Sequence, residues 1–190
     1  MRVYLASSSP RRAHMLADWG VPFSIVKADV DEVMVDAAPE NSATQNALAK
    51  ALAGSRHVDA GLVVGADTVV ACDGRILGKP LDENQARDML ALLEGREHRV
   101  ITAMAAVFMP EKTAATRLST TRVFMRHLAA DERQAYLNNP EYRDKAGAYA
   151  VQGLAASFIE RTEGPMDTII GFTMSDFYAL CTELHVDVRR

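Results

Sequence analysis

The sequence predicts an α/β protein: a mixed, twisted sheet with flanking helices, two lobes around a cleft, in one domain spanning residues 1–190. Three observations predict it. Short β-branched runs such as "VYLA", "GLVVGADTVV" and "HRVITAMAAVFMP" are interleaved with helical stretches, but without the strict alternation of a purely parallel sheet. No repeat, low-complexity segment or linker divides the chain. At 190 residues, 48% of them apolar, the chain is long enough to bury a substantial core.

The elements follow in order. Val3 to Ala6 reads as a short buried strand, and Pro10 to Trp19 as a helix closed by Gly20. Phe23 to Ala28 is a second strand, followed by an acidic loop with Asp31 and Glu32. Ser42 to Arg56 is Ala-rich and helical, with Leu48, Ala51 and Leu52 on one side. A long strand begins at Gly61 and turns at Asp73-Gly74 into a short returning strand. Asp82 caps a helix that runs to Leu93. Two longer strands then surround residues 98–110 and 117–128, and Asp131 to Asn138 is helical. "DKAGAYAVQG" is a glycine-punctuated loop, "ASFIERTEG" a strand, and Ser175 to Leu184 the last helix.

Composition narrows the function. A net charge of −4 argues against broad binding to nucleic acid polymers but leaves room for one small anionic ligand held by local positive charge. Two distant cysteines, Cys72 and Cys181, read as reduced thiols. The apolar patch at the start is too short for a signal peptide or a membrane span, so a cytoplasmic protein is expected. The five histidines have no metal-ligand spacing, and neither GxxxxGK[ST] nor GxGxxG occurs.

Six places carry candidate chemistry. In "SSSPRR", Ser9 suits an N-cap and Pro10 the first helical position, which sets Arg11 and Arg12 inside the first turn. Cations are poorly placed there, because a helix N-terminus is already positive. An anion bound between strand, hydroxyl-rich loop and helix start would resolve the conflict; a capped helix with two solvated arginines is the plain alternative. In "VVGADTVV", Asp67 interrupts an otherwise buried strand, and an unpaired carboxylate there would cost several kcal/mol. It needs a metal, a lysine or a catalytic task, unless it merely ends the strand. Alternation puts Thr68 on the opposite face, so both line one site only if the strand twists or bulges near Gly65.

Lys50, on the Ala-rich helix, and Lys79, fixed between Gly78 and Pro80, are further candidate cations, although most lysines are simply solvated. Glu32 could hold a divalent cation beside Asp67, and an ordinary acidic loop explains it equally well. Lys145, Tyr149 and Gln152 stand among Gly147 and Gly153, which permit close approach of the backbone to a ligand. The Gln amide offers both a donor and an acceptor, as the edge of a base requires.

In order and spacing, "LASSSPRR", "DVDE", "ALAKA", "GADTVV", "GKP", "DKAGAYAVQG" and the Gly171-Phe172 pair resemble the Maf family of nucleoside triphosphate pyrophosphatases. The resemblance implies hydrolysis of a nucleoside triphosphate between its α- and β-phosphates, a divalent cation (Mg²⁺ or Mn²⁺) and a mixed α/β fold with a cleft. Family members are often dimers, so a homodimer is expected. By position, the resemblance implies that Asp67 is the proton acceptor and that Ser8, Arg12, Lys50 and Lys79 bind phosphate. It places Glu32 near the metal with Asp67, and Lys145 beside the substrate. Arg11, Thr68 and Gln152 match the three positions that separate the subgroups, and this combination looks like the one acting on dTTP and UTP. Two rival expectations remain: the same chemistry on another base such as 7-methyl-GTP, or a nucleotide-binding regulator without turnover. The chain departs from the pattern at "RRAHML", "EGPMDTIIG" and "GFTM".

Overall fold

The structure, a computed structural model, describes residues 1–35 and 38–188. The elements run β1 (Val3–Leu5), α1 (Pro10–Asp18), β2 (Phe23–Ile25), α2 (Pro39–Ser55), β3 (Gly61–Cys72), β4 (Arg75–Leu77), α3 (Glu83–Leu93), β5 (Glu97–Met109), β6 (Thr113–Met125) and α4 (Ala130–Leu137). Three short 3₁₀ turns between Pro140 and Phe158 follow, then β7 (Ile159–Glu163), α5 (Met166–Ile170) and α6 (Met174–Glu183). Among the described residues the strands form one seven-stranded sheet ordered β2-β1-β3-β5-β6-β7, with β4 also paired to β3. β1 is parallel to β2 and β3; the other pairings are antiparallel, so the expected mixed sheet is present.

Alternation along the long central strands assigns the two faces. The odd-numbered residues Val69, Ala71, Ile101, Ala103, Ala105 and Val107 pack beneath Ala43, Ala47 and Ala51 of α2. The small side chains let the helix lie close to the sheet. At Gly65 an added Cβ would stand only 2.4 Å from the Ala47 carbonyl oxygen, so no larger residue fits under α2. The apolar stripe of α2 is therefore alanine, and Leu52, expected to share the buried side, is 45% exposed.

The even-numbered face supports two separate cores. Leu62, Val64, Ala66, Met104 and Ala106 pack with Leu5, Leu16, Phe172, Phe177 and Leu180. Val70, Val100 and Val123 pack with Leu90, Leu93, Tyr136 and Phe158. Between the two lies one polar row across three strands, because Thr68 pairs in register with Thr102, and Thr102 with Ser119. The Thr68 and Thr102 hydroxyls are 2.8 Å apart, and Ser119 donates to Asp176 of α6 at 2.5 Å. This row is the boundary between the lobes. The register of β3 on β5 runs from Gly61↔Met109 to Ala71↔Arg99 with no bulge.

Three local expectations need correction. Ser9 takes the N-cap backbone position of α1, but its hydroxyl makes no cap bond; its N–H donates instead to Ser7 Oγ at 3.2 Å. The loop at 144–153 contains 3₁₀ turns, with Gly147 at φ 70° where a side chain would be strained. Helix α5 was not foreseen, since five residues are too few to show a helical period. The Asp82 cap stands as expected: its carboxylate accepts from the Gln85 N–H at 2.8 Å.

Candidate active site

The cleft exists because, among the described strands, β3 has neighbours at both ends of one edge and none in the middle. β1 pairs with it only as far as Leu5↔Val64, with one further bond from the Ala6 N–H to the Val64 carbonyl, 2.8 Å. β4 takes up the same edge at Val70↔Leu77. Over residues 65–69 that edge lacks a strand partner among the described residues, and a cavity of about 650 Å³ opens there. Side chains from both faces of β3 reach this rim, so Asp67 and Thr68 both line the cavity while alternation is kept. The twist or bulge expected near Gly65 is unnecessary.

Asp67 lies on the α2 side and is buried. Its Oδ1 accepts from Lys50 Nζ at 2.6 Å and its Oδ2 from Asn46 Nδ2 at 3.1 Å. Asn46 and Lys50 are one helical turn apart on α2, so a single helix face supplies both donors. The closeness of that face follows from Gly65, two residues before Asp67 on the same side of the strand. Lys50 Nζ also donates to Glu32 Oε1 at 2.7 Å, and Asn46 holds the loop bearing Glu32 through the Val33 N–H (2.8 Å) and carbonyl (2.9 Å). Desolvation pushes the Glu32 carboxyl upward, but Lys50, Lys79 and Arg12 together outweigh it and leave it below the usual carboxylate range. Two carboxylates thus converge on one cationic point, now held by the Lys50 ammonium. That donor set fits a hard divalent cation, which takes one or two carboxylates and completes its shell with water and phosphate oxygens.

Arg12 is the most heavily bonded side chain of the site. Its Nε donates to the Gly171 carbonyl (2.8 Å), Nη1 to Ser7 Oγ (3.2 Å) and the Ala66 carbonyl (2.9 Å), and Nη2 to Thr68 Oγ1 (3.2 Å). Four of the five N–H donors of a guanidinium are therefore engaged within the protein. Burial lowers its pKa from the ordinary arginine value, an effect Asp67 opposes. The carbonyl of Ala66, on the unpaired stretch of β3, is satisfied by this side chain rather than by a strand. Gly171 ends α5 at φ 100° and brings its backbone so close that a Cβ would meet Thr68 Oγ1 at 2.9 Å.

The remaining candidates lie around the mouth. Ser8, Lys79 and Gln152 are exposed and line the cavity, and Lys79 makes no hydrogen bond or ion pair to another described residue. Arg11 Nη1 is 3.4 Å from Asp144 Oδ2, and Lys145 pairs with the same carboxylate. Desolvation would raise the Asp144 carboxyl, but Lys145 and Arg11 outweigh it and hold it low. The structure brings all ten candidates, Ser8, Arg11, Arg12, Glu32, Lys50, Asp67, Thr68, Lys79, Lys145 and Gln152, to this one cavity. Sequence reasoning missed Asn46, Thr102 and His98, and gave Gly171 no role beyond its place in a motif. Asn46 had a signal, its four-residue spacing from Lys50. Thr102 and His98 had none. His98, buried in β5, binds the hydroxyl of the cavity residue Tyr149 through Nε2 at 2.7 Å, and burial pushes its pKa down to about 4.

A profile described as "Maf-like protein" matches residues 2–184, and the chain belongs to that family. The dTTP/UTP pyrophosphatase of Hahella chejuensis is 42% identical over 192 residues, covering 98% of this chain and 94% of the relative. That of Syntrophomonas wolfei is 37% identical, covering 98% and 99%. That of Caldanaerobacter subterraneus subsp. tengcongensis is 37% identical, covering 95% and 87%. The solved structure of the Staphylococcus aureus Ham1 protein aligns with 66% of this chain and 72% of its own, at 12% identity and a TM-score of 0.48. Among the described residues no helix is long and apolar enough to cross a membrane.

Proposed function

We infer that this protein is a nucleoside triphosphate pyrophosphatase that cleaves dTTP and UTP to the monophosphate and pyrophosphate. One observation carries the reading: a buried carboxylate, Asp67, shares a single cavity with Arg11, Lys50, Lys79 and Lys145. A nucleotide-sized anion can be gripped there while one fixed carboxylate faces the reacting centre.

Asp67 acts as the general base. Lys50 and Asn46 each take one lone pair of its two oxygens, which fixes the carboxylate plane and leaves a lone pair on each to accept a proton from water. That water attacks the α-phosphorus, the α–β phosphoanhydride bond breaks, and pyrophosphate leaves. Lys79, Lys145 and Arg11 neutralise charge on the leaving group, with Ser8 as a neutral donor. Lys50 keeps its bonds to Asp67 and Glu32 and has one N–H left for a phosphate oxygen. Arg12 contributes its charge and its one uncommitted N–H, and otherwise holds the site together. Gln152, with its amide free for a base edge, stands at the nucleoside end. Glu32 and Asp67 would hold the divalent cation, Mg²⁺ or Mn²⁺, which when bound polarises the phosphate it touches. A homodimer and a cytoplasmic location belong to the same reading.

The test is a nucleotide panel scored for pyrophosphate. Release from dTTP and UTP, lost on chelation with EDTA and restored by Mg²⁺ or Mn²⁺, is expected, with 7-methyl-GTP turned over far more slowly. Orthophosphate as first product would overturn the α–β cleavage. Binding of dTTP without turnover would leave a nucleotide-binding protein.

A further inference from the structure

The polar row between the two cores contains a hydrogen-bond relay whose direction can be read without seeing a hydrogen. Thr102 Oγ1 lies 2.7 Å from the Thr168 carbonyl oxygen, and Thr102 is fully buried. A carbonyl cannot donate, so the single hydroxyl proton of Thr102 lies in that contact. The 2.8 Å contact between the Thr102 and Thr68 hydroxyls then has one possible sense: Thr68 donates and Thr102 accepts. Arg12 Nη2, also a pure donor, meets Thr68 Oγ1 at 3.2 Å. The Thr68 hydroxyl has thus given away its proton and filled one lone pair. It offers the cavity one remaining lone pair and no proton.

We propose that Thr102 is a specificity-positioning residue: by accepting the Thr68 proton it makes Thr68 an obligate acceptor, matched to the imide N3–H of uracil or thymine and mismatched to the unprotonated N3 of cytosine. The proposal rests on the pyrimidine nucleotide reading above and adds the rule by which the site separates one pyrimidine from another. A phosphate oxygen against Thr68 would set lone pair against lone pair, so the polyphosphate lies toward Lys79, Lys145 and Arg11. The nucleoside takes the Thr68 side. Buried polar groups left unmatched are what make such a choice steep, since a site built for one partner rejects an analogue that lacks the matching group. Thr102 itself touches no ligand. It acts only through Thr68.

The experiment compares wild type, Thr102→Val and Thr102→Ser in two readouts: kcat and KM for dTTP, N3-methyl-dTTP, dCTP and 2′,3′-dideoxy-TTP, and calorimetric binding of dTMP against dCMP. Wild type is expected to favour dTTP over both dCTP and N3-methyl-dTTP by about tenfold or more in kcat/KM. Valine at 102 preserves shape but returns the proton to Thr68, which can then donate to cytosine N3. The dTTP-to-dCTP preference should fall about tenfold, mainly through KM, and serine should restore it. A purely structural Thr102 would lower activity on both nucleotides together. If Thr102→Val does not fold, Thr68→Val removes the acceptor and must erase the same preference. An unchanged dTTP-to-dCTP ratio in the folded valine variant overturns the proposal, as does discrimination against the dideoxy nucleotide alone, which would make a ribose hydroxyl the donor. Absence of turnover in wild type counts against the pyrophosphatase reading, and the dTMP-to-dCMP binding ratio then decides the relay by itself.

Discussion

Two groups of opposite charges, one in the cleft and one on the outer sheet, make similar ion pairs and differ in burial. In the cleft, the Lys50 and Asp67 side chains are 12% and 8% exposed. On the far strands, Arg122 bridges Glu97 and Glu163 with all three 40–46% exposed, and Arg161 lies over the Phe124 ring at 3.5 Å. The outer network is laid down by the β5–β6–β7 register and solvated throughout, so water and salt replace most of what it provides. The inner charges have left water and persist only because each is held by designed partners. Burial, not the number of ion pairs, separates a site from a surface.

That contrast can be broken or sharpened by substitution. The largest effect is expected at Asp67. Asp67→Asn keeps the shape and one hydrogen bond while removing the proton acceptor, and should lower kcat by about 10²–10⁴; near-normal turnover would remove Asp67 from that role. Next comes Arg12→Met, which leaves the Ala66 and Gly171 carbonyls without their donor and should destabilise the fold by about 2–4 kcal/mol in urea unfolding. Lys79→Met, beside it in the cavity, should weaken substrate binding with an unchanged unfolding midpoint, because Lys79 holds no described residue. If the two behave alike, Arg12 is an ordinary phosphate ligand rather than the fastening of the cleft.

A pH effect of similar size follows from His98. Its folded pKa of about 4 lies below the ordinary 6.5, so between those values the unfolded chain binds the extra proton. Stability is complete above about pH 6.5 and declines as the pH falls toward 4, by roughly 3 kcal/mol in total. The His98→Asn variant, followed by urea unfolding across that window, should show a flatter decline. Smallest is Arg122→Ala, which should change neither Tm nor kcat/KM appreciably even in low salt.

The cationic cluster was legible in the sequence because charges in wrong places stand out: two arginines in a first helical turn, and an aspartate in a buried strand. The long strands, the Asp73-Gly74 turn and the Asp82 cap were legible for the same local reasons. What escaped were features set by a partner distant in the chain. The alanine stripe of α2 carries little hydrophobic contrast, so Leu52 drew attention although Gly65 and the alanines make the contact. Arg12 looked like a free anion ligand because nothing near it in sequence announces the Gly171 carbonyl, 159 positions on. Thr102 reads as one more β-branched strand residue. Its significance arises only when register sets it beside Thr68.

The incomplete edge of β3 has one more consequence. Because β1 stops at Leu5 and β4 ends at Leu77, opposite Val70, the length of the serine loop after β1 decides whether a binding chamber exists at all. Five more residues of pairing by β1, continuing one for one from Leu5↔Val64, would zip the sheet shut over positions 65–69, abolishing the chamber while every lining side chain remained. The walls tolerate exchange of amino acids; the gap between strands tolerates no lengthening.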